Sequence, residues 1–134
     1  RSGLGPVIRL NRLPNKFVLQ MRFKFEGDQY KPTRPKLDLG HHINSLIFTH
    51  DGYTLKLSDG KHCGTTKIRS ALNRWVDMLI EFEKGRLSIE VDGKQRLFED
   101  EQVSMKNRDE FTFKALENGK SRLMFDHVRL WKVQ

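Results

Sequence analysis

Disulfides, membrane-spanning runs and the usual cofactor motifs are all missing from this sequence. Cys63 is the only cysteine among 134 residues, so no disulfide can form within the chain. No run of 18 apolar residues occurs, which excludes a transmembrane helix. Asn-x-Ser/Thr glycosylation sites, the phosphate-binding glycine loop and the dinucleotide-binding glycine pattern are absent too. Any chemistry must therefore come from residues that the fold brings together.

Acidic residues are also in short supply. The chain has 25 Lys and Arg residues against 17 Asp and Glu residues, a net charge of +8. Such a field attracts anions, whether nucleic acid, a sulfated or uronic polysaccharide, or an anionic membrane surface. The basic residues are spread along the chain, which is typical of solvated strand faces. Specific nucleic-acid binding, which concentrates charge on one element, is therefore disfavoured.

Length and ends suggest one domain taken from a larger protein. A chain of 134 residues fits a single domain over residues 1–134. It starts at Arg1 rather than Met and shows no signal peptide. We therefore expect a processed product or an excised domain.

The clearest structural signal is a β-hairpin over residues 74–91. Apolar residues occupy every second position on both sides of a Lys84-Gly85 turn: Val76, Met78, Ile80 and Phe82 before it, and Leu87, Ile89 and Val91 after it. Strict alternation indicates strands with one buried and one solvated face. A two-residue turn with Gly second favours a type I′ hairpin, which pairs Phe82 with Leu87 and Glu83 with Arg86.

The same reasoning predicts further strands, at 7–10, 16–26, 43–50, 52–58, 62–69, 111–115 and 123–133. We expect turns at Asp51-Gly52 and Asp59-Gly60, and a three-residue turn over 92–94 that sets Glu90 against Arg96 and Ile89 against Leu97. Segment 27–40 predicts a long exposed loop, and the alternation breaks near Asp126, which indicates a bulge. About nine or ten strands without a helical period predict an antiparallel β-sandwich.

The second half of the chain carries a recognisable pattern. Trp75 opens a strand, the run from Ile80 through Gly85 and Leu87 ends in Val91-Asp92-Gly93, and the chain finishes with Phe125-Asp126-His127-Val128-Arg129-Leu130-Trp131. This pattern resembles the concanavalin-A-like lectin/glucanase superfamily, in its laminin-G-like and bacterial glycoside-hydrolase-like branches. The resemblance implies a two-sheet jelly roll, sugars as the ligand class, and an extracellular or periplasmic location.

The resemblance does not extend to catalytic or known sugar-binding motifs. The Glu-x-Asp-x-(x)-Glu strand of the glucanase branch is absent, and so is the galectin run Trp-Gly-x-Glu-x-Arg. The adjacent histidines His41 and His42 would point to opposite faces of a strand and could not bind one ion together, so no zinc site is predicted. The resemblance leaves calcium binding possible. Its ligands would be the loop carboxylates of Asp28, Asp38, Asp51 and Asp126.

Two sets of residues are candidates for a site. Glu81 and Glu83 share the outward hairpin face, where same-face neighbours lie about 6.5–7 Å apart at the backbone. Paired carboxyls about 5–5.5 Å apart serve retaining glycosidases, and those about 6.5–9.5 Å apart serve inverting ones. For sugar binding, aromatic rings stack on C–H faces while polar groups take the hydroxyls. This set is Trp75, Tyr53 and Tyr30 with Asp77 and Arg86, whereas Trp131 is expected to pack in the core or at an edge near the terminus.

The sequence therefore predicts a non-catalytic carbohydrate-binding or structural module of an exported protein that acts on polysaccharide. The basic surface favours an anionic glycan as the ligand. One alternative is a glycoside-hydrolase-like enzyme that uses Glu81 and Glu83. A second alternative is a polyanion- or nucleic-acid-binding β-module, which requires stacked aromatics among the Arg and Lys residues.

Overall fold

The fold is built entirely from β-strands in the described part of the chain. A computed structural model describes residues 4–27, 36–40, 44–104, 111–116 and 122–133. The strands are β1 (Leu4–Leu10), β2 (Phe17–Glu26), β3 (Lys36–Leu39), β4 (Ser45–Thr49), β5 (Gly52–Lys56), β6 (His62–Lys67), β7 (Trp75–Glu83), β8 (Arg86–Val91), β9 (Lys94–Glu99), β10 (Phe111–Leu116) and β11 (Arg122–Lys132). No described residue belongs to a helix that could cross a membrane.

The strands form two antiparallel sheets that pack as a sandwich. The six-stranded sheet has the order β1-β10-β3-β4-β5-β6, and the five-stranded sheet has the order β11-β2-β7-β8-β9. Every pairing between neighbouring strands is antiparallel. The predicted all-β jelly-roll sandwich is confirmed.

Aromatic rings from both sheets meet in the core. Phe23 of the five-stranded sheet lies 5.4 Å from Phe48 and 4.9 Å from Phe113, ring centroid to ring centroid, and the latter two belong to the six-stranded sheet. All three rings are fully buried. β2 buries every second residue from Phe17 to Phe25. This alternation in the sequence is what places its aromatic and aliphatic side chains in the core.

The central hairpin has the predicted register. Glu83 pairs with Arg86 and Phe82 with Leu87, around a two-residue turn in which Gly85 has a φ of 84°. Gly85 takes a positive φ without steric cost, but Lys84 does not take one, so the prediction of a type I′ turn, which needs a positive φ at both central residues, is wrong. The predicted bulge in β11 is also present, as a shift of register between Phe125 and His127.

The turn between β8 and β9 is shorter than predicted, and the register changes with it. Asp92 and Gly93 alone form the turn, with φ angles of 51° and 82°, so Val91 pairs with Lys94. Ile89 therefore faces Arg96 rather than Leu97. A slip of one residue exchanges the two faces of a strand. Arg96 accordingly points between the sheets, and the exposed Leu97 points outward.

Two other predictions about turns and loops are wrong. Segment 27–40 is not one exposed loop, because its end forms β3, whose Leu37 and Leu39 are buried between β10 and β4. The hairpin of β4 and β5 turns at His50-Asp51 rather than at Asp51-Gly52, since Gly52 already pairs with Thr49. Gly52 is buried within the sheet instead of serving the turn.

Candidate functional site

Trp75 and Asp77 lie together near the start of β7, and Arg22 of β2 joins them. The Arg22 guanidinium is 3.4 Å from the Asp77 carboxylate and 5.6 Å from the centroid of the Trp75 ring. It also lies 3.9 Å from the Asp126 carboxylate. The Trp75 ring is half-buried, and the Arg22 guanidinium makes a cation–π contact with it.

Arg86 lies at the other end of the same hairpin. It pairs with Glu83, which is six residues along β7 from Asp77. At the strand rise of about 3.3 Å per residue, Arg86 therefore lies about 20 Å from Asp77. The fold therefore keeps Arg86 away from the Trp75–Asp77 pair. The predicted binding residues on the hairpin do not form one site.

Tyr53 is not available as a sugar platform. Its ring is fully buried, 5.9 Å from the Phe48 ring centroid, because odd-numbered residues of β5 face the core. Burial raises the pKa of the Tyr53 hydroxyl above its ordinary value, and the neighbouring Thr66 and Arg96 act in the opposite direction. The other predicted platform, Tyr30, lies outside the described residues.

A cleft of about 560 Å³ opens on the outward face of the five-stranded sheet. We call it the hairpin cleft, and it is lined by Lys16, Phe17, Val18, Glu81, Phe82, Glu83, Arg86, Ser88, Gln95, Leu97 and Val133. The two glutamates of the hydrolase alternative thus share a cleft. Neither is enclosed, since Glu81 is exposed and the Glu83 carboxylate is 3.8 Å from the Lys16 ammonium group.

This exposure sets an expectation for hydrolysis. Glycosidases use two carboxyl groups that flank the bound sugar in an enclosed site, whereas Glu81 is exposed to solvent and Glu83 is paired with Lys16. We expect Glu81→Gln and Glu83→Gln to leave the rate of cleavage of chromogenic glycosides at the wild-type level. A drop of about a hundredfold in either variant is the size typical of a lost acid or base, and it would establish the enzyme.

The outward face of the six-stranded sheet has a different character. Its polar side chains come from β3 to β6, and we call this set the lysine face: Lys36, Ser45, Thr54, Lys56, Thr65 and Lys67. Cross-strand pairing sets Thr54 beside Thr65 and Ser45 beside Lys56, with the exposed His62 next in that row. Lysines and hydroxyl groups therefore lie side by side across three neighbouring strands.

The only carboxylate of β3 to β6, within the described residues, is already neutralised. Asp38 is 4% exposed, accepts a 2.6 Å hydrogen bond from the Ser45 hydroxyl and lies 3.6 Å from the Lys36 ammonium group. Lys56 and Lys67 have no acidic partner among the residues that the structure describes. Among the residues that the structure describes, two lysine charges on this face are therefore uncompensated. The lysine face could not be predicted from the sequence, because Lys36 falls in the segment that predicts a loop.

Arg96 closes the flank of the sandwich where β6 and β9 are the outermost strands. It donates hydrogen bonds of 2.7 Å to the Thr66 hydroxyl and of 2.7 Å to the Cys63 carbonyl oxygen, and its guanidinium lies 4.7 Å from the Phe98 ring centroid. Burial raises the pKa of the Cys63 thiol, which favours its protonated form.

The predicted calcium ligands are not assembled in the described part of the chain. Asp38 belongs to β3, Asp51 to the β4–β5 turn and Asp126 to β11 of the other sheet, and Asp28 lies outside the described residues. Nowhere in ranges 4–27, 36–40, 44–104, 111–116 and 122–133 do three His, Cys, Asp or Glu residues gather closely enough for a metal.

Comparison with solved structures relates this geometry to known folds. A double mutant of congerin II superposes with a TM-score of 0.69 at 14% identity, over 94% of this chain and 100% of the other. A tetrameric galectin from the ball sponge Cinachyrella sp. gives 0.66 at 12% identity, over 94% and 99%. An alginate lyase A1-II′ variant gives 0.61 at 12% identity, over 92% of this chain and 65% of that one.

These similarities establish the fold, which is that of the concanavalin-A-like lectins and glucanases in its galectin-like form. No protein-family model and no curated protein sequence matches the chain.

Proposed function

We propose that the chain is a non-catalytic carbohydrate-binding module of an exported, extracellular or periplasmic protein that acts on polysaccharide, and that its lysine face binds an anionic glycan. The observation that carries the proposal is that Lys56 and Lys67, which have no acidic partner in the described ranges, lie beside the hydroxyl groups of Thr54 and Thr65. The galectin-like fold supports sugar as the ligand class.

The chemistry of the face suits sulfated or uronic sugars. An ammonium group forms charge-assisted hydrogen bonds with a sulfate or carboxylate, while a threonine hydroxyl both donates to and accepts from a sugar hydroxyl. The net charge of +8 increases the rate at which a polyanion arrives. On the opposite face, Arg22 and Lys24 are held by Asp77 and Glu26, which lowers the attraction of that face for anions.

The test is a comparison of two double variants that carry the same net charge. We expect Lys56→Ala/Lys67→Ala to weaken binding of heparin and alginate oligosaccharides by about thirtyfold, because each of the two lost charge-assisted contacts contributes about 1 kcal/mol. The control Lys84→Ala/Lys132→Ala removes two exposed lysines outside the face and should change affinity much less. Isothermal titration calorimetry at fixed salt gives both dissociation constants.

A polyanion-binding module would behave differently. It would lose affinity equally in both double variants, and it would bind a single-stranded oligonucleotide as tightly as a glycan of the same charge, with the same steep dependence on salt. Equal losses would contradict the lysine face as the site. Within the described residues, no aromatic side chain joins the lysine face, so the stacking that single-stranded nucleic acid uses is missing there.

A further inference from the structure

We propose that the hairpin cleft is a second ligand site, which binds a neutral saccharide independently of the lysine face. The cleft lies on the outward face of the five-stranded sheet, whereas the lysine face belongs to the other sheet. Its volume of about 560 Å³ falls within the range of about 300–1,000 Å³ that small-molecule sites occupy.

The floor of the cleft is one row of side chains that crosses four strands. Strand pairing places Val18 beside Glu81, Glu81 beside Ser88, and Ser88 beside Leu97. Leu97 belongs to this row only because the two-residue turn at Asp92-Gly93 sets the register of β9. The row therefore combines apolar and polar groups, as a surface that recognises a sugar ring must.

Two charged groups of the cleft have no side-chain partner within the part of the chain that the structure describes. Glu81 and Arg86 take part in no ion pair or side-chain hydrogen bond among the described residues. The buried Ser88 hydroxyl accepts a 2.8 Å hydrogen bond from Gln95, which leaves its proton free to be donated. The cleft thus offers an acceptor, a charged donor and a hydroxyl donor.

Charge balance selects a neutral ligand. The lining contains two glutamates, Glu81 and Glu83, and two basic residues, Lys16 and Arg86. An anionic ligand would face the Glu81 carboxylate, and a cationic one would face the Arg86 guanidinium, neither of which is paired within the described residues. A sugar hydroxyl can donate to the first and accept from the second without bringing a charge of its own.

Apolar groups flank these polar ones. Leu97 is 41% exposed, and Trp131, which pairs with Val18 at the outer edge of the same face, is 46% exposed. Exposed rings and alkyl groups beside hydrogen-bonding groups suit the C–H faces of a sugar. Trp131 therefore extends the cleft toward the edge, where it can stack against a second ring of an oligosaccharide.

The experiment is a calorimetric titration with neutral di- and trisaccharides of glucose, galactose and N-acetylglucosamine in 0.5 M sodium chloride. High salt weakens binding at the lysine face and leaves hydrogen bonds to a neutral sugar largely unchanged. We expect at least one sugar to bind, and Arg86→Ala and Glu81→Ala each to weaken it by about tenfold. Trp131→Ala should weaken trisaccharides more than disaccharides.

Matched variants show whether neutral-sugar binding belongs to the hairpin cleft. Leu130→Ala, which removes the neighbouring 39%-exposed side chain, and Arg122→Ala, which removes an exposed arginine elsewhere on the sheet, should leave affinity unchanged. Lys56→Ala/Lys67→Ala should also have no effect. The proposal is overturned if no sugar of the panel binds, if the cleft variants bind as the wild type does, or if the lysine variant abolishes neutral-sugar binding.

Discussion

Phe23→Ala should lower the free energy of unfolding by about 3–5 kcal/mol, the usual loss for a buried phenylalanine. The ring is fully buried and touches Phe48 and Phe113 on the facing sheet, so its removal leaves a cavity where the two layers meet. Domains of this size are stable by about 5–15 kcal/mol in total. Urea denaturation followed by tryptophan fluorescence measures the loss.

Phe125→Ala is the matched control for this prediction. Phe125 also contacts Phe113, at 5.5 Å between ring centroids, but it is only half-buried beside the bulge of β11. A half-buried ring loses less transfer free energy on truncation, and the opening it leaves can fill with water. If Phe125→Ala destabilises the chain as much as Phe23→Ala, the central role of Phe23 is wrong.

Gly52→Ala should be unusually costly for so small a change, at about 3 kcal/mol, the upper end of the range for overpacking. A Cβ on Gly52 would overlap the carbonyl oxygen of Thr66 and come within 3.0 Å of its carbonyl carbon. Both are backbone atoms of β6, so β5 and β6 must move apart. Because these strands carry Lys56 and Lys67, we also expect glycan binding to weaken.

Gly60→Ala distinguishes crowding from backbone strain. Gly60 has a φ of 89°, and a Cβ there would meet nothing within 4 Å. Its replacement should therefore cost only the left-handed backbone penalty, about 1–2 kcal/mol. Thermal unfolding of both variants gives the comparison, and a larger loss at Gly60 than at Gly52 would contradict the crowding argument.

The strands that alternate strictly could be predicted from the sequence. β2, β7 and β8 each place apolar residues at every second position, and the core depends on that period alone. The position of the Lys84-Gly85 turn was equally predictable, but its type was not, because only Gly85 takes a positive φ. Topology also followed, because the Trp75 and Val91-Asp92-Gly93 motifs resemble a superfamily whose sandwich the structure confirms.

Registers and short strands could not be predicted as well. The pair Asp92-Gly93 is itself a complete two-residue turn, and this signal would have placed Leu97 outward and Arg96 inward. β3 is only four residues long and follows a proline-rich stretch, so its pattern is too short to stand out. Gly52 resembles a turn glycine in the sequence. Only the structure shows that glycine is needed there because the Thr66 backbone lies too close for a Cβ atom.

The candidate sites depended on these details more than the fold did. Burial of Tyr53 follows from the face that β5 turns inward, and the separation of Arg86 from Asp77 follows from the length of β7. The hairpin cleft and the lysine face each combine residues from several strands. Such combinations depend on cross-strand register, which no single stretch of sequence contains.

The inward guanidinium of Arg96 also has a consequence for self-association. β9 ends its sheet, and a bare strand border is a template on which another polypeptide can add. An incoming chain that drew β9 away from β6 would leave a cation without its Thr66 and Cys63 partners. Burying that unpaired charge in an interface between chains has a high free-energy cost, which disfavours the addition of further strands along the β9 edge.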